Sequence, residues 1–311
     1  MKIAFVFPGQ GSQKVGMGKD LFDGYDKVQA LYERACVALN YDIAVLSFNG
    51  PEAELNQTMR TQPALVAAST AAYAVLVGSG IKPDVVAGHS LGEYSALVAA
   101  GVLSFGDALK VTELRGRLMQ EAVPEGKGLM AAVLGMDRTA LTVALKEVKA
   151  GYVAPANFNC PGQIVISGER VAVEEAMEVL KARGAKRVIA LSVSVPSHSK
   201  LMDEASKKLS EHLFLGDIEV REPRVPVVCN SDAIFLTTTD GIKAALVKQL
   251  NSPVLWEDSV AAMVNSGVDT FIEVGPGKVL CGLIRKCSPD VRTFNVEDRA
   301  SLEKTLAELA A

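Results

Sequence analysis

Five cysteines, an odd number, are scattered through 311 residues with no C-x-x-C pair, and this excludes a disulfide scaffold and a cysteine-rich zinc site. The pattern fits a reducing cytosol. No run of five or six consecutive basic residues occurs and the net charge is −4, so nothing in the charge distribution marks a nucleic-acid binder. Long hydrophobic runs are scarce too. The N-terminal Ile3-Ala4-Phe5-Val6-Phe7 breaks at Pro8-Gly9, too short for a signal-peptide core, and reads as a first strand. The longest nearly uncharged stretch, Ala64 to Gly80, carries Ser69, Thr70, Tyr73 and Ser79 and falls short of the roughly 20 apolar residues of a membrane span. It reads as a buried helix. No repeat and no low-complexity segment is visible, which excludes solenoids, propellers and disordered tails.

What is present alternates. Strand-like runs at Ile3–Phe7, Val85–Gly88, Met130–Leu134, Gln163–Ser167, Arg187–Leu191, Val225–Cys229 and Thr270–Val274 are separated by helix-like segments, which predicts an α/β protein. Between about Glu125 and Val195 the order is strand, helix (Arg138–Lys149), two strands flanking Asn159-Cys160-Pro161-Gly162, helix (Val171–Arg183) and strand. That is the ferredoxin-like β-α-β-β-α-β order. It predicts a small domain over 125–195 inserted into a large parallel-sheet domain made of 1–124 and 196–311. A closing helix is expected over Ser301–Leu309.

One segment carries chemistry. Asp84-Val85-Val86-Ala87-Gly88-His89-Ser90-Leu91-Gly92-Glu93 is an apolar strand, then Gly-x-Ser-x-Gly, then a helix through Ala96–Ala100. This is the context of a nucleophile elbow, where small flanking residues permit a sharp turn and the helix N-terminus favours developing negative charge. A serine nucleophile needs a base, and the chain has three histidines. His89 adjoins Ser90 and would point away from it. His212 lies in a charged helix and reads as a surface residue. His198, in the proline-containing loop Ser194-Val195-Pro196-Ser197-His198-Ser199, remains as the base by elimination.

Ser104, with Asp107 three residues on, starts a helix to about Ala122. Arg115 falls on its apolar stripe with Ala108, Val111, Leu118, Met119 and Ala122, whereas Arg117 falls on the polar side with Glu113. A guanidinium on the apolar stripe needs a partner: an internal carboxylate, or the carboxylate of a substrate held bidentately. Periodicity alone leaves both open. The loop Pro8-Gly9-Gln10-Gly11-Ser12-Gln13 matches neither G-x-G-x-x-G nor a Walker motif, but its backbone N–H groups could serve an oxyanion.

Gly9-Gln10-Gly11-Ser12-Gln13, Thr61-Gln62-Pro63-Ala64, Gly88-His89-Ser90-Leu91-Gly92-Glu93, Arg115-Gly116-Arg117 and Pro196-Ser197-His198-Ser199 together resemble malonyl-CoA:acyl carrier protein transacylases of fatty-acid synthesis. Asn157-Phe158-Asn159, Pro161-Gly162-Gln163, Gln249-Leu250, Pro253-Val254 and Glu273 to Leu280 extend the likeness over essentially the whole chain. The resemblance implies a hydrolase-like large domain with the ferredoxin-like insert, and a ping-pong transfer through a malonyl ester on Ser90. It implies His198 as general base and acid, oriented by the main-chain carbonyl of Gln249, and Arg115 as partner of the malonyl carboxylate. The N–H groups of Gln10 and Leu91 would form the oxyanion hole, with Gln62, Met119 and Asn159 near the substrate. Malonyl-CoA and acyl carrier protein are the implied partners, with no cofactor beyond the phosphopantetheine that the carrier brings, no metal, no nucleic acid and no membrane. A cytoplasmic monomer is expected. Lys186, Arg187, Arg285 and Lys286 are candidates for meeting an acidic carrier. Ser197, where polyketide-type relatives often carry phenylalanine, leaves acyl selectivity open. The rival readings are a serine carboxylesterase or patatin-like lipase, and a non-catalytic carrier-binding module. The Asp240-Gly241 that a patatin-like dyad would use reads better as part of a helix cap.

Overall fold

The computed structural model describes residues 1–191, 195–216 and 218–310. Its strands are β1 (Ile3–Phe7), β2 (Val85–Gly88), β3 (Gly128–Leu134), β4 (Val153–Cys160), β5 (Gln163–Glu169), β6 (Arg187–Ala190), β7 (Val227–Val228), β8 (Phe235–Leu236), β9 (Thr270–Val274) and β10 (Arg292–Val296). They form a six-stranded sheet in the order β10-β9-β1-β2-β7-β8 and a four-stranded sheet in the order β4-β5-β3-β6. The first is parallel except for β8, and the second is antiparallel throughout.

The central strand β1 is buried at all five positions because helices cover both faces of the large sheet. Successive side chains alternate: Ile3, Phe5 and Phe7 enter one core, and Ala4 and Val6 enter another with Trp256, Val260, Leu280 and Ile284. The first core also holds the helices Thr58–Gly78 and Phe105–Ala122, which pack on each other. Thr58–Gly78 is long and apolar enough to span a membrane, yet most of it is buried against the protein's own core.

In the small sheet the period-2 alternation separates two jobs. Leu129, Ala131 and Val133 of β3 and Ile164 and Ile166 of β5 pack under the helices Arg138–Leu145 and Arg170–Ala182. Met130 and Val165 point to the opposite face, with Ala156. The segment between the helices Thr239–Asn251 and Trp256–Asn265 pairs with the small sheet where Val254 lies alongside β4: its N–H donates to the Ala156 carbonyl (2.8 Å) and its carbonyl accepts from Phe158 N–H (2.9 Å).

Several expectations shift. Strand Val225–Cys229 shortens to Val227–Val228, and helix Arg138–Lys149 ends at Leu145. β8 and β10 were not foreseen: β10 is the sheet edge, where Arg292, Thr293 and Asn295 break the apolar signal. Glu113 pairs with Arg60 at 3.0 Å rather than with Arg117, because Arg60 of the neighbouring helix reaches it from the packed side. The expected junction near 195 runs through 192–194, which lie outside the described residues.

Candidate active site

β2 ends at Gly88 and the next helix starts at Gly92, so the chain must reverse within three residues. A Cβ on Gly88 would run into the backbone of Gly92, and one on Gly92 into the Phe7 carbonyl of β1. Only glycine fits at either end. Ser90 between them takes a left-handed φ of 52°, a strained conformation for a residue with a side chain. Asn230, just beyond β7, clamps the turn: its Oδ1 accepts from Ser90 N–H (2.6 Å) and its Nδ2 donates to the Gly88 carbonyl (2.6 Å).

His198 also has a left-handed φ, 59°, and is 3 % exposed. Its backbone N–H donates to the Leu250 carbonyl at 2.9 Å, tying its loop to the end of the helix Thr239–Asn251. Nδ1 lies 2.8 Å from the Gln249 carbonyl and Nε2 lies 2.7 Å from Ser90 Oγ. A carbonyl only accepts, so Nδ1 carries the proton and Nε2 presents its lone pair to the serine hydroxyl. Burial first, and the nearby Arg115 charge second, push the imidazole down to about 3. It is therefore a neutral base at physiological pH.

Arg115 is 1 % exposed on the apolar side of the Phe105–Ala122 helix, whose N-cap is Ser104. Nη1 donates to Gln62 Oε1 (2.9 Å) and Nη2 to Gln249 Oε1 (3.0 Å), while Nε has no partner among the described residues. The two acceptors are neutral amides, and among the described residues no carboxylate forms an ion pair with Arg115. Burial lowers its affinity for its proton, with Tyr94 and Glu93 opposing. A buried guanidinium held by neutral oxygens keeps its charge for an incoming anion.

These groups share a cavity of about 210 Å³. Ser90, His198, Arg115, Gln10 and Met119 line it, and β4 adds Asn157 and Asn159. Asn159 Oδ1 lies 2.8 Å from His89 Nε2, and the His89 ring also packs edge-on against Trp256. His89 thus points across to β4 rather than along Ser90's bond to His198. Neither Gln10 N–H nor Leu91 N–H donates to an acceptor among the described residues, so both are free for an oxyanion. Gln62 does not line the cavity; it stands behind Arg115 and donates to Met119 Sδ at 3.4 Å. The Gln249 side chain, as distinct from its carbonyl, is a further member: Nε2 donates to the Ser90 carbonyl (2.9 Å) and to Glu93 Oε2 (2.8 Å). His212 is exposed, and no residue of its helix, Asp203–Leu215, is among those that line the cavity. Thr238 caps the helix at Asp240-Gly241, accepting from Gly241 N–H.

Sequence reasoning had not assigned Asn230, Glu93 or the Gln249 amide. Asn230 follows the carboxyl end of a parallel strand, where α/β sites form, and that position was the available signal. The other two show only in three dimensions.

An α/β sheet that lifts a serine hydroxyl on a strand–helix elbow, against a buried neutral histidine, defines the class of serine-nucleophile proteins built for acyl chemistry. Within that class the affiliation is specific. A family model described as acyl transferase domain matches residues 4–301. A malonyl CoA-acyl carrier protein transacylase of Haemophilus influenzae is 50% identical over 303 residues, 96% of each chain. A solved acyl carrier protein S-malonyltransferase of Vibrio cholerae superposes with a TM-score of 0.94 at 47% identity, covering 98% of this chain and all of the other. A malonyl-transacylase solved in complex with a type II polyketide acyl-carrier protein gives 0.96 at 47% identity, covering 99% of this chain and all of its own. The chain belongs to the acyl transferase family.

Proposed function

We propose that this enzyme moves a malonyl group from CoA to the phosphopantetheine thiol of acyl carrier protein, through an ester on Ser90, in fatty-acid synthesis. The observation that carries the reading is the Ser90–His198–Gln249 carbonyl relay opening into the same cavity as a buried arginine that pairs with no carboxylate among the described residues. The activities of the malonyl-transferring relatives support it.

In the first half-reaction Ser90 Oγ attacks the thioester carbonyl as its proton passes to His198 Nε2. The oxyanion is held by the N–H groups of Gln10 and Leu91. On collapse the C–S bond breaks, and the departing CoA sulfur takes the proton from His198. In the second half the carrier's thiol gives its proton to His198 and attacks the malonyl ester, and Ser90 Oγ recovers the proton. A main-chain carbonyl fixes the imidazole where hydrolases use a carboxylate; it holds the tautomer without adding a charge. Arg115 binds the malonyl carboxylate, with Gln62 and Gln249 bracing the guanidinium and Met119 and Asn159 beside the acyl group. Acetyl offers Arg115 no partner, which costs about 1–3 kcal/mol of selectivity or more.

The proposal needs no cofactor beyond the carrier's own. All five cysteines are free, in keeping with a cytoplasmic setting, and we take the protein as a monomer with residues 125–195 as its small domain. The malonyl-transacylase solved with its carrier supports a carrier protein as partner. Of the basic candidates, Lys286 donates to Gln163, a residue that lines the cavity (3.3 Å). Brief incubation with malonyl-CoA followed by intact mass and peptide mapping tests the reading: the malonyl group is expected on Ser90, to be released by carrier thiol faster than by water. Equal release by water, or turnover of a neutral aryl ester without thiol, would favour the esterase alternative.

A further inference from the structure

Glu93 sits in the first turn of the helix Gly92–Ala99 that follows the elbow, 1 % exposed, and no step of the proposed transfer uses it. Its Oε2 accepts two hydrogen bonds: from Asn230 N–H at 3.0 Å and from Gln249 Nε2 at 2.8 Å. Both donors belong to residues that hold the nucleophile. Asn230 grips Ser90 N–H and the Gly88 carbonyl, and Gln249 Nε2 grips the Ser90 carbonyl.

The Gln249 amide is the junction. Its NH₂ faces two groups at which only oxygen accepts, Glu93 Oε2 and the Ser90 carbonyl, so its own oxygen must turn to Arg115. Were the amide reversed, its NH₂ would confront a guanidinium that can only donate, and Arg115 Nη2 would lose its acceptor. Burial of the whole assembly makes such a mismatch expensive. The ordering influence therefore runs from Glu93 through Gln249 to Arg115.

We propose that Glu93 is a positioning residue for acyl-group selectivity: by fixing the orientation of the Gln249 side-chain amide it holds the Arg115 guanidinium in place for the substrate carboxylate. This rests on the reading of Arg115 as the carboxylate's partner. It assigns Glu93 an effect on the choice between a charged and a neutral acyl group, over and above any effect on the elbow, which would slow both donors alike.

The experiment measures initial rates of Ser90 acylation from malonyl-CoA and from acetyl-CoA in the wild type and in R115A, E93Q and E93L. R115A and E93L are each expected to shift the malonyl-to-acetyl ratio about tenfold or more toward acetyl. E93Q, whose amide oxygen can accept the same two hydrogen bonds, is expected to stay within about threefold of the wild-type ratio. If E93L does not fold, E93D, one methylene short of Gln249, replaces it and should shift the ratio in the same direction. An unchanged ratio in the folded Glu93 variant beside a shifted one in R115A overturns the role given to Glu93 and leaves the carboxylate clamp standing. An unchanged ratio in R115A overturns the clamp and the proposal with it.

Discussion

The cavity has two unlike walls. On the side of the large parallel sheet Ser90, His198 and Arg115 line the cavity, and Gln249, Glu93 and Asn230 support them in one hydrogen-bonded assembly. The wall built on the small antiparallel sheet presents the apolar side chains of Met130, Val165 and Leu191, with Asn157, Asn159 and Gln163 as its polar members. Reactive groups need positions fixed within fractions of an ångström, and interlocked buried hydrogen bonds on a rigid sheet supply that. A wall that shapes an acyl chain needs volume and dryness more than direction, and alternating residues of an antiparallel sheet provide it. Removing a member of the first wall should therefore cost far more, in rate or in acyl selectivity, than removing one of the second.

The sharpest way to break this comparison is Ser90→Ala. It should abolish covalent malonylation and lower transfer by about 10³-fold or more, measured with malonyl-CoA and carrier protein, with melting temperature unchanged or raised because the strained φ at 90 tolerates alanine no worse than serine. Next in size, Arg115→Ala should lower malonyl transfer by about 10–100-fold while sparing or raising acetyl transfer. Equal loss for both donors would move Arg115 from selectivity to structure. On the opposite wall, Asn159→Ala should reduce kcat/KM by only about threefold to tenfold, since it loses one hydrogen bond, to His89, and leaves the relay intact. A loss as large as that of Arg115 would erase the distinction between the walls.

The walls also differ in how plainly the sequence announces them. The elbow is a local device: two glycines forced by close backbone approach, an apolar strand before and a helix after, all within ten residues, so Ser90 could be named without a fold. Arg115 was legible as an anomaly in a helical stripe, and its surroundings now favour a free charge over an internal ion pair. His198 came by elimination from a chain poor in histidine. The ferredoxin-like order of β3 to β6 was readable because period-2 and period-3.6 segments alternate without interruption. What sequence could not supply is convergence. Glu93, Asn230 and the Gln249 amide are ordinary polar residues separated by up to 156 positions, and only the stacking of β2 beside β7 and the packing of the Thr239–Asn251 helix bring them together. β8 escaped because it is two residues long, and β10 because an edge strand need not be apolar.

The smallest expected effect is a flat line. Burial lowers the His198 pKa to about 3, so the neutral base persists as pH falls through the ordinary histidine range. The acylation rate should therefore show no protonation limb near 6.5, and a limb there would mean that the imidazole is hydrated in solution. Burial acts oppositely on Glu93, raising it to about 7. The folded state then binds that proton more tightly than the unfolded state, so its contribution to stability is full below about 4.5 and is lost as pH rises through about 7. Glu93→Gln should flatten this part of the melting temperature's pH dependence.

The central claim is that one serine, activated by His198 and facing Arg115, carries a malonyl group between thiols. Its most direct test is intact mass spectrometry of the wild type, Ser90→Ala and His198→Ala after brief exposure to malonyl-CoA, followed by addition of carrier protein. The account predicts one malonyl adduct on the wild type, mapped to Ser90 and discharged to the carrier thiol, none on the serine variant, and greatly slowed formation on the histidine variant. An adduct that persists in Ser90→Ala, or one that the carrier cannot discharge, would contradict it.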